Sequence, residues 1–204
     1  MPWKGVTMTN TVCAIVLAAG ESRRFQAIAG QGQSKLLASC LGRDGIARPV
    51  LEQTLVNLQG VVDKVLVITR PDCSQIIALA HHYGCELVML ASAGMGDSIA
   101  AAVAAEPDHR AWLIVLGDMP FILPQTLHQV VASLEDGRIS VPALKSELGH
   151  PVGFGRQYGP ALKGLSGDQG ARRLFREGCV QQVEVDDPGV LWDVDVPDRL
   201  VFVP

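Results

Sequence analysis

Aromatic residues are scarce, at 5% of a 204-residue chain, so aliphatic side chains must do most of the packing. Cysteine offers no framework. Cys13, Cys40, Cys73, Cys85 and Cys179 are odd in number and scattered, with no Cys-x-x-Cys pair. That excludes a disulfide scaffold and a cysteine zinc site, and points to reduced thiols in a cytoplasmic protein. An excess of positive charge is missing too. Lys and Arg number 17 against 21 Asp and Glu, a net charge of −4, which argues against a nucleic-acid partner because phosphate neutralisation needs a basic surface. No apolar run approaches the ~20 residues of a membrane helix. The short run ending at Ala19 is also too short, and wrongly flanked, for a secretion signal.

What is present is a strongly apolar chain, 48% hydrophobic with 21 glycines, long enough for one substantial domain. Up to Lys35 the balance is +3, from Lys4, Arg23, Arg24 and Lys35 against Glu21; the remainder carries −7. A basic loop on an acidic body points to a local anion site.

Val12–Leu17 is an unbroken apolar hexamer and reads as a strand buried on both faces. Further strands are expected at Lys64–Thr69, Glu86–Leu90 and Ala111–Leu116. Helices are expected over 51–58, from Asp72 or Ser74 to Ala80, from Asp97 or Ser98 to Ala105, and from Pro124 to Leu134. Beyond that, short strands fit 138–141, 152–154 and 180–185, with helices near 158–163 and 169–177. This alternation predicts an α/β fold: a single Rossmann-like domain over 1–204, mostly parallel, with helices on both faces. Ligands of such sheets sit at the carboxyl ends of the strands, where the loops gather.

The loop after the first strand, Leu17-Ala18-Ala19-Gly20-Glu21-Ser22-Arg23-Arg24-Phe25, is followed by the loose-looking segment 26–34 and then Lys35. Small residues let backbone N–H groups approach an anion, Gly20 can turn sharply, and the cations suit a polyphosphate. It is neither a Walker loop nor Gly-x-Gly-x-x-Gly; an ordinary turn with solvated arginines fits its composition equally well. Asp118, in Gly117-Asp118-Met119-Pro120, stands at the end of a buried strand. It either turns the chain before proline or faces a triphosphate across a Mg2+ ion. Each unit-charge contact at ~4 Å and a dielectric near 20 is worth on the order of 4 kcal/mol.

In Gly94-Met95-Gly96-Asp97-Ser98 the glycines suit close approach to a base or ribose, while Asp97 or Ser98 serves equally as a helix cap. His150, between Gly149 and Pro151, reads as a ligand contact or a turn residue. Ser166–Arg172 reads as a helix start able to hold an anion. A strand through 192–196 would place Asp193 and Asp195 on one face, both able to face a metal.

Taken in order, these segments resemble the MobA-like nucleotidyltransferase family. The matching pieces are 17–25, Lys35-Leu36-Leu37, 94–99, 117–120, 149–154, 167–172 and 193–198. Within it, Leu-Ala-Ala-Gly with Gly-His-Pro is most similar to molybdenum cofactor cytidylyltransferase, whereas guanylyl-transferring relatives carry Leu-Ala-Gly-Gly.

The resemblance implies transfer of CMP from CTP to the terminal phosphate of molybdopterin, with Mg2+ as cofactor and a molybdoenzyme as a possible recipient of the product. It implies a nucleotide-binding part over about 10–120 and an acceptor-binding part over about 121–204. Leu17, Ala18, Ala19, Gly20, Arg24 and Lys35 would hold the triphosphate, and Gly96 and Ser98 would lie near the base and ribose. Arg24, Lys35 and Asp118 would carry catalysis, with Asp118 and Asp195 on the metal. His150, Gly167, Asp168 and Arg172 would meet the acceptor. Segment 26–34 is longer than the family's usual link and is expected to act as a flap that orders on nucleotide binding. The alternatives are GTP-dependent guanylyl transfer, transfer to a sugar phosphate, a non-catalytic cofactor carrier and a nicotinamide-dependent oxidoreductase.

Overall fold

The computed structural model describes residues 11–91, 94–168 and 170–203. Strand β1 (Val12–Leu17) shows why the sheet is central. Val12, Ala14 and Val16 join one apolar cluster and Cys13 and Ile15 the other, each at most 2% exposed. With side chains alternating, a strand apolar at every position must be covered on both faces.

After β1 come helix α1 (Arg23–Ala29), a hairpin of β2 (Ser39–Leu41) and β3 (Ala47–Pro49), and α2 (Val50–Leu58). Then follow β4 (Lys64–Thr69), α3 (Ser74–His82), β5 (Glu86–Met89), α4 (Met95–Ala105), β6 (Ala111–Leu116) and α5 (Pro124–Ala132). The remainder holds β7 (Arg138–Leu144), β8 (Glu147–Leu148), β9 (Val152–Gly155), α6 (Gly159–Lys163) and β10 (Cys179–Glu184), with short 3-10 helices between. The main sheet runs β10-β7-β9-β6-β1-β4-β5, with β8 on β7. Pairs β1–β4, β1–β6, β4–β5 and β7–β10 are parallel, while β9 is antiparallel to β6 and β7. Helices α2, α3 and α5 pack on one face, α4 and α6 on the other. Because β4 and β6 flank β1 on opposite sides, the chain reverses direction across the sheet there, and a crevice opens at the strands' carboxyl ends.

Several local expectations give way. Of the segment 26–34 expected to be loose, residues 26–29 are helical as the end of α1: Gln26 donates to the Glu21 carbonyl at 2.7 Å and accepts from Gly32 N–H at 3.2 Å, bracing the turn from both sides. The cap expected from Asp72 or Ser74 is absent, because Asp72 pairs with Arg70 and Cys73 precedes the helix. Helix α4 starts at Met95, so Asp97 and Ser98 lie inside its first turn. The stretch 192–196 is an extended link between two 3-10 helices, not a strand. Residues 171–175 form a 3-10 helix too short to gather the field of an α-helix N-terminus; Gln169 lies outside the described residues.

Candidate active site

The loop bearing Asp118 is held by buried polar groups of α2. Thr54 Oγ1 donates to the Gly117 carbonyl at 3.2 Å, and Asn57 Nδ2 donates to the carbonyls of Pro120 and Ile122 at 2.8 and 2.9 Å. A buried amide that satisfies two carbonyls fixes a loop as firmly as secondary structure would. Val194 N–H donates to the Asp118 carbonyl at 2.9 Å, which draws the 193–195 link alongside. Buried Asp187 anchors that link further back: its carboxylate accepts from Arg43, Leu123 N–H, Thr126 and Gly189 N–H. The sequence reading missed this anchor, since nothing in the local pattern around Asp187 sets it apart.

These supports converge on a cavity of about 370 Å³ at the ends of β1 and β6. Ala19, Gly20, Lys35, Ser98, Asp118, Asp193 and Asp195 all line it. Lys35 Nζ lies 2.5 Å from Asp118 Oδ2 and 2.7 Å from Asp195 Oδ1, and Arg24 reaches Asp195 Oδ2 at 2.8 Å. The Lys35 side chain is only 14% exposed and that of Asp118 17%, whereas Arg24 is 81% exposed. Asp118 Oδ1 is buried without a hydrogen-bond partner.

Burial alone would pull the Lys35 ammonium down, but Asp118 and Asp195 beside it more than compensate and raise it. Burial lifts the Asp118 carboxyl above its ordinary range; Lys35 offsets this only in part, and Asp193 and Asp195 add to the push. The hydrogen bond from Lys35 holds Asp195 below the usual range, with Arg24 assisting. A further cation is the natural remedy for this concentration of carboxylates.

In the turn itself, Ala18 N–H is taken by the Ile68 carbonyl at 2.8 Å, so Ala18 has no N–H to offer an anion. Ala19 and Gly20 face the cavity instead. Gly20 does not take a positive φ; the turn's left-handed residue is Ser22, at φ 55°. A Cβ at Gly20 would meet nothing within 4 Å, leaving room beside the turn for a ligand.

Gly94 and Gly167 form a clasp. Gly96 N–H donates to the Gly167 carbonyl at 2.8 Å, Asp97 Oδ1 accepts from Gly167 N–H at 3.0 Å, and a Cβ on Gly94 would collide with the Gly167 backbone. Gly167 has φ +61°, which glycine adopts without strain. Among the lining residues of this cavity are Gly94, Met95 and Ser98 but not Gly96, and Gly167 and Asp168 line no described cavity wall.

A second cavity of about 570 Å³ shares Met95 and Leu116 with the first. Its wall is apolar, with Ile99, Leu148, Phe154 and Phe175, and its ionisable residues are His150, Arg172 and Arg176. His150 Nδ1 is buried without a partner. Burial, with help from the Arg172 charge, pushes the His150 imidazole down to about 4, so it is neutral at pH 7. Arg176 went unnoticed in sequence because it falls in no recognisable motif, and Met95 was passed over inside its motif in favour of the glycines beside it.

A parallel-sheet crevice with a small-residue turn, a buried lysine and strand-end carboxylates defines a nucleotide-handling α/β protein. The chain belongs to the MobA-like NTP transferase domain family, matched over residues 14–185. Purine catabolism protein PucB of Bacillus subtilis is 29% identical, covering 93% of this chain and 94% of its own. Nicotine blue oxidoreductase of Paenarthrobacter nicotinovorans is 28% identical, covering 96% and 98%. Among solved structures, Rv0371c from Mycobacterium tuberculosis superposes with a TM-score of 0.78 at 27% identity, covering 93% of this chain and 95% of its own. The same protein in complex with manganese gives 0.72 at 25%, with the same coverage. No helix among the described residues is long and apolar enough to cross a membrane.

Proposed function

We propose that the chain transfers CMP from CTP to the terminal phosphate of molybdenum cofactor, releasing pyrophosphate. The observation that carries this reading is Lys35, held between Asp118 and Asp195 on the wall of the cavity beneath the Ala19–Gly20 turn. Such a site has cations for phosphates and carboxylates for a metal, and an apolar cavity large enough for an acceptor adjoins it. Membership of an NTP transferase family and Ala19 in the Leu-Ala-Ala-Gly turn add to it.

In this mechanism a terminal phosphate oxygen of the acceptor attacks the α-phosphorus of CTP in line. A P–O bond forms there as the bond to pyrophosphate breaks, and the electron pair leaves with pyrophosphate. The attacking phosphate is already anionic at pH 7, so no general base is needed. Neutral His150 is suited to orienting an acceptor, not to donating a proton. Lys35 and Arg24 take up charge on the phosphates, and the Ala19–Gly20 turn positions them.

Mg2+ favours one or two carboxylates together with waters and substrate phosphates. Asp118, with its bare Oδ1, and Asp195 suit that donor set and would hold it. When bound, the ion neutralises phosphate charge as a Lewis acid. The structure of Rv0371c in complex with manganese, at 25% identity, supports the reading that a divalent ion binds here.

A thermal-shift panel of CTP, GTP, ATP and UTP with Mg2+ tests the reading, because a ligand that binds only the folded form raises Tm by mass action. A CTP-selective rise is expected, followed by turnover with molybdopterin. A GTP-selective rise would replace cytidylyl by guanylyl transfer, and no rise with any triphosphate would sink the proposal. The name of the second relative raises hydride transfer as a competitor. Against it stands the turn after β1, which lacks the Gly-x-Gly-x-x-Gly pattern.

A further inference from the structure

Three of the four carboxylate oxygens of Asp118 and Asp195 are capped by cations of the chain itself. Lys35 Nζ covers Asp118 Oδ2 and Asp195 Oδ1, and Arg24 covers Asp195 Oδ2. The fourth, Asp118 Oδ1, is buried and bare. A divalent ion seeking both carboxylates therefore meets an ammonium group already lying between them.

A triphosphate changes this balance. Gly20, Arg24, Lys35 and Asp195 also border a further cavity of about 250 Å³, lined otherwise by Ser22, Arg23 and Phe25. Phosphates lodged beside Gly20 would thus lie next to both cations and compete with the carboxylates for them. Once Lys35 and Arg24 turn to phosphate, the oxygens of Asp118 and Asp195 are uncovered together.

From this geometry we infer that Lys35 is a placeholder cation: it occupies the metal position until a nucleotide draws it away, so metal and triphosphate each bind weakly alone and strengthen one another. The inference rests on the nucleotidyltransferase reading and extends it to the order in which the site assembles. Linkage makes the effect reciprocal: the factor by which nucleotide tightens metal is the factor by which metal tightens nucleotide. Lys35 then has two successive partners, the carboxylates in the empty enzyme and the phosphates in the loaded one.

The test is a titration of the nucleotide-free protein with Mn2+, reading unbound ion by electron paramagnetic resonance. Wild type is expected to bind Mn2+ weakly, and Lys35→Met to bind it at least about tenfold more tightly, since the ammonium is removed while the stem is kept. Arg24→Gln, at an exposed position that does not threaten folding, is expected to tighten Mn2+ about two- to threefold by freeing Asp195 Oδ2. Asp118→Asn added to Lys35→Met should abolish the gain. Unchanged or weaker Mn2+ binding in both single variants overturns the placeholder role.

A calorimetric titration of wild type with a non-hydrolysable CTP analogue, in Mg2+ or in EDTA, separates this from the underlying reading. Analogue binding at least about tenfold tighter with Mg2+ supports the coupling. Equal binding in both conditions overturns the coupling while the nucleotide site stands, and no binding in either overturns both.

Discussion

In the cavity beneath the Ala19–Gly20 turn, Lys35 lies at ion-pair distance from both Asp118 and Asp195, and Arg24 pairs with Asp195. Across the wall formed by Met95 and Leu116, the neighbouring cavity is larger and mostly apolar, and its histidine is neutral. The first gathers opposite charges in a small space; the second presents a mostly apolar wall with its cations at one side. The loops after β1 and β6, joined by the 193–195 link, supply the charged cavity, while the antiparallel β9 and the 3-10 segment 171–175 line the apolar one.

If that division is real, variants should separate the two cavities. Asp118→Asn is expected to have the largest effect, lowering kcat/KM by about 1000-fold while acceptor affinity measured by calorimetry stays at the wild-type value. Its Tm should hold, because the carboxyl it replaces is itself penalised by burial.

Next comes acidity. Folded His150 resists protonation until about pH 4, whereas the unfolded chain takes up that proton near 6.5. The unfolded state therefore binds more protons between those values, and stability present above pH 6.5 is lost as the pH falls towards 4. Urea melts should show wild type losing on the order of 3 kcal/mol relative to His150→Gln over that window. Parallel pH curves for the two proteins would remove the buried, unpartnered histidine from the apolar side.

A Cβ at Gly94 strikes the Gly167 backbone beside the shared wall. Gly94→Ala should cost about 1–3 kcal/mol of stability by overpacking and raise KM for both substrates, the one variant expected to blur the division. The smallest effect is Arg172→Gln, which should raise acceptor KM about tenfold, a typical loss for a hydrogen bond to a charged group. An equal rise in KM for CTP would mean the cavities are not separate sites.

Legibility in the sequence followed how local each cause is. β1 and β6 could be bounded to the residue because an apolar hexamer buried on both faces carries its own signal, and β4 because its apolar run Val65–Ile68 is closed by Lys64 and Thr69. Helix α1 could not: at seven residues it is too short to show a periodicity, it has no side-chain cap, and its braces are side-chain bonds from Gln26. Asp193 and Asp195 do share the charged cavity, but through the tie from Val194 N–H to the Asp118 carbonyl and not through strand alternation. Gly96 and Gly167 stood out as glycines, yet they meet each other and not the cavity, because a clasp between distant loops leaves no mark in either.

The amino-acid order by itself determined the alternating strands and helices, the basic first turn and the acids at strand ends, since burial periodicity and charge type are written within a few residues. Only the folded chain decided that Lys35 lies between Asp118 and Asp195, the latter 160 positions away. Strand order about β1 brings those loops to one crevice, and strand order comes from packing the whole sheet, not from any one segment of it.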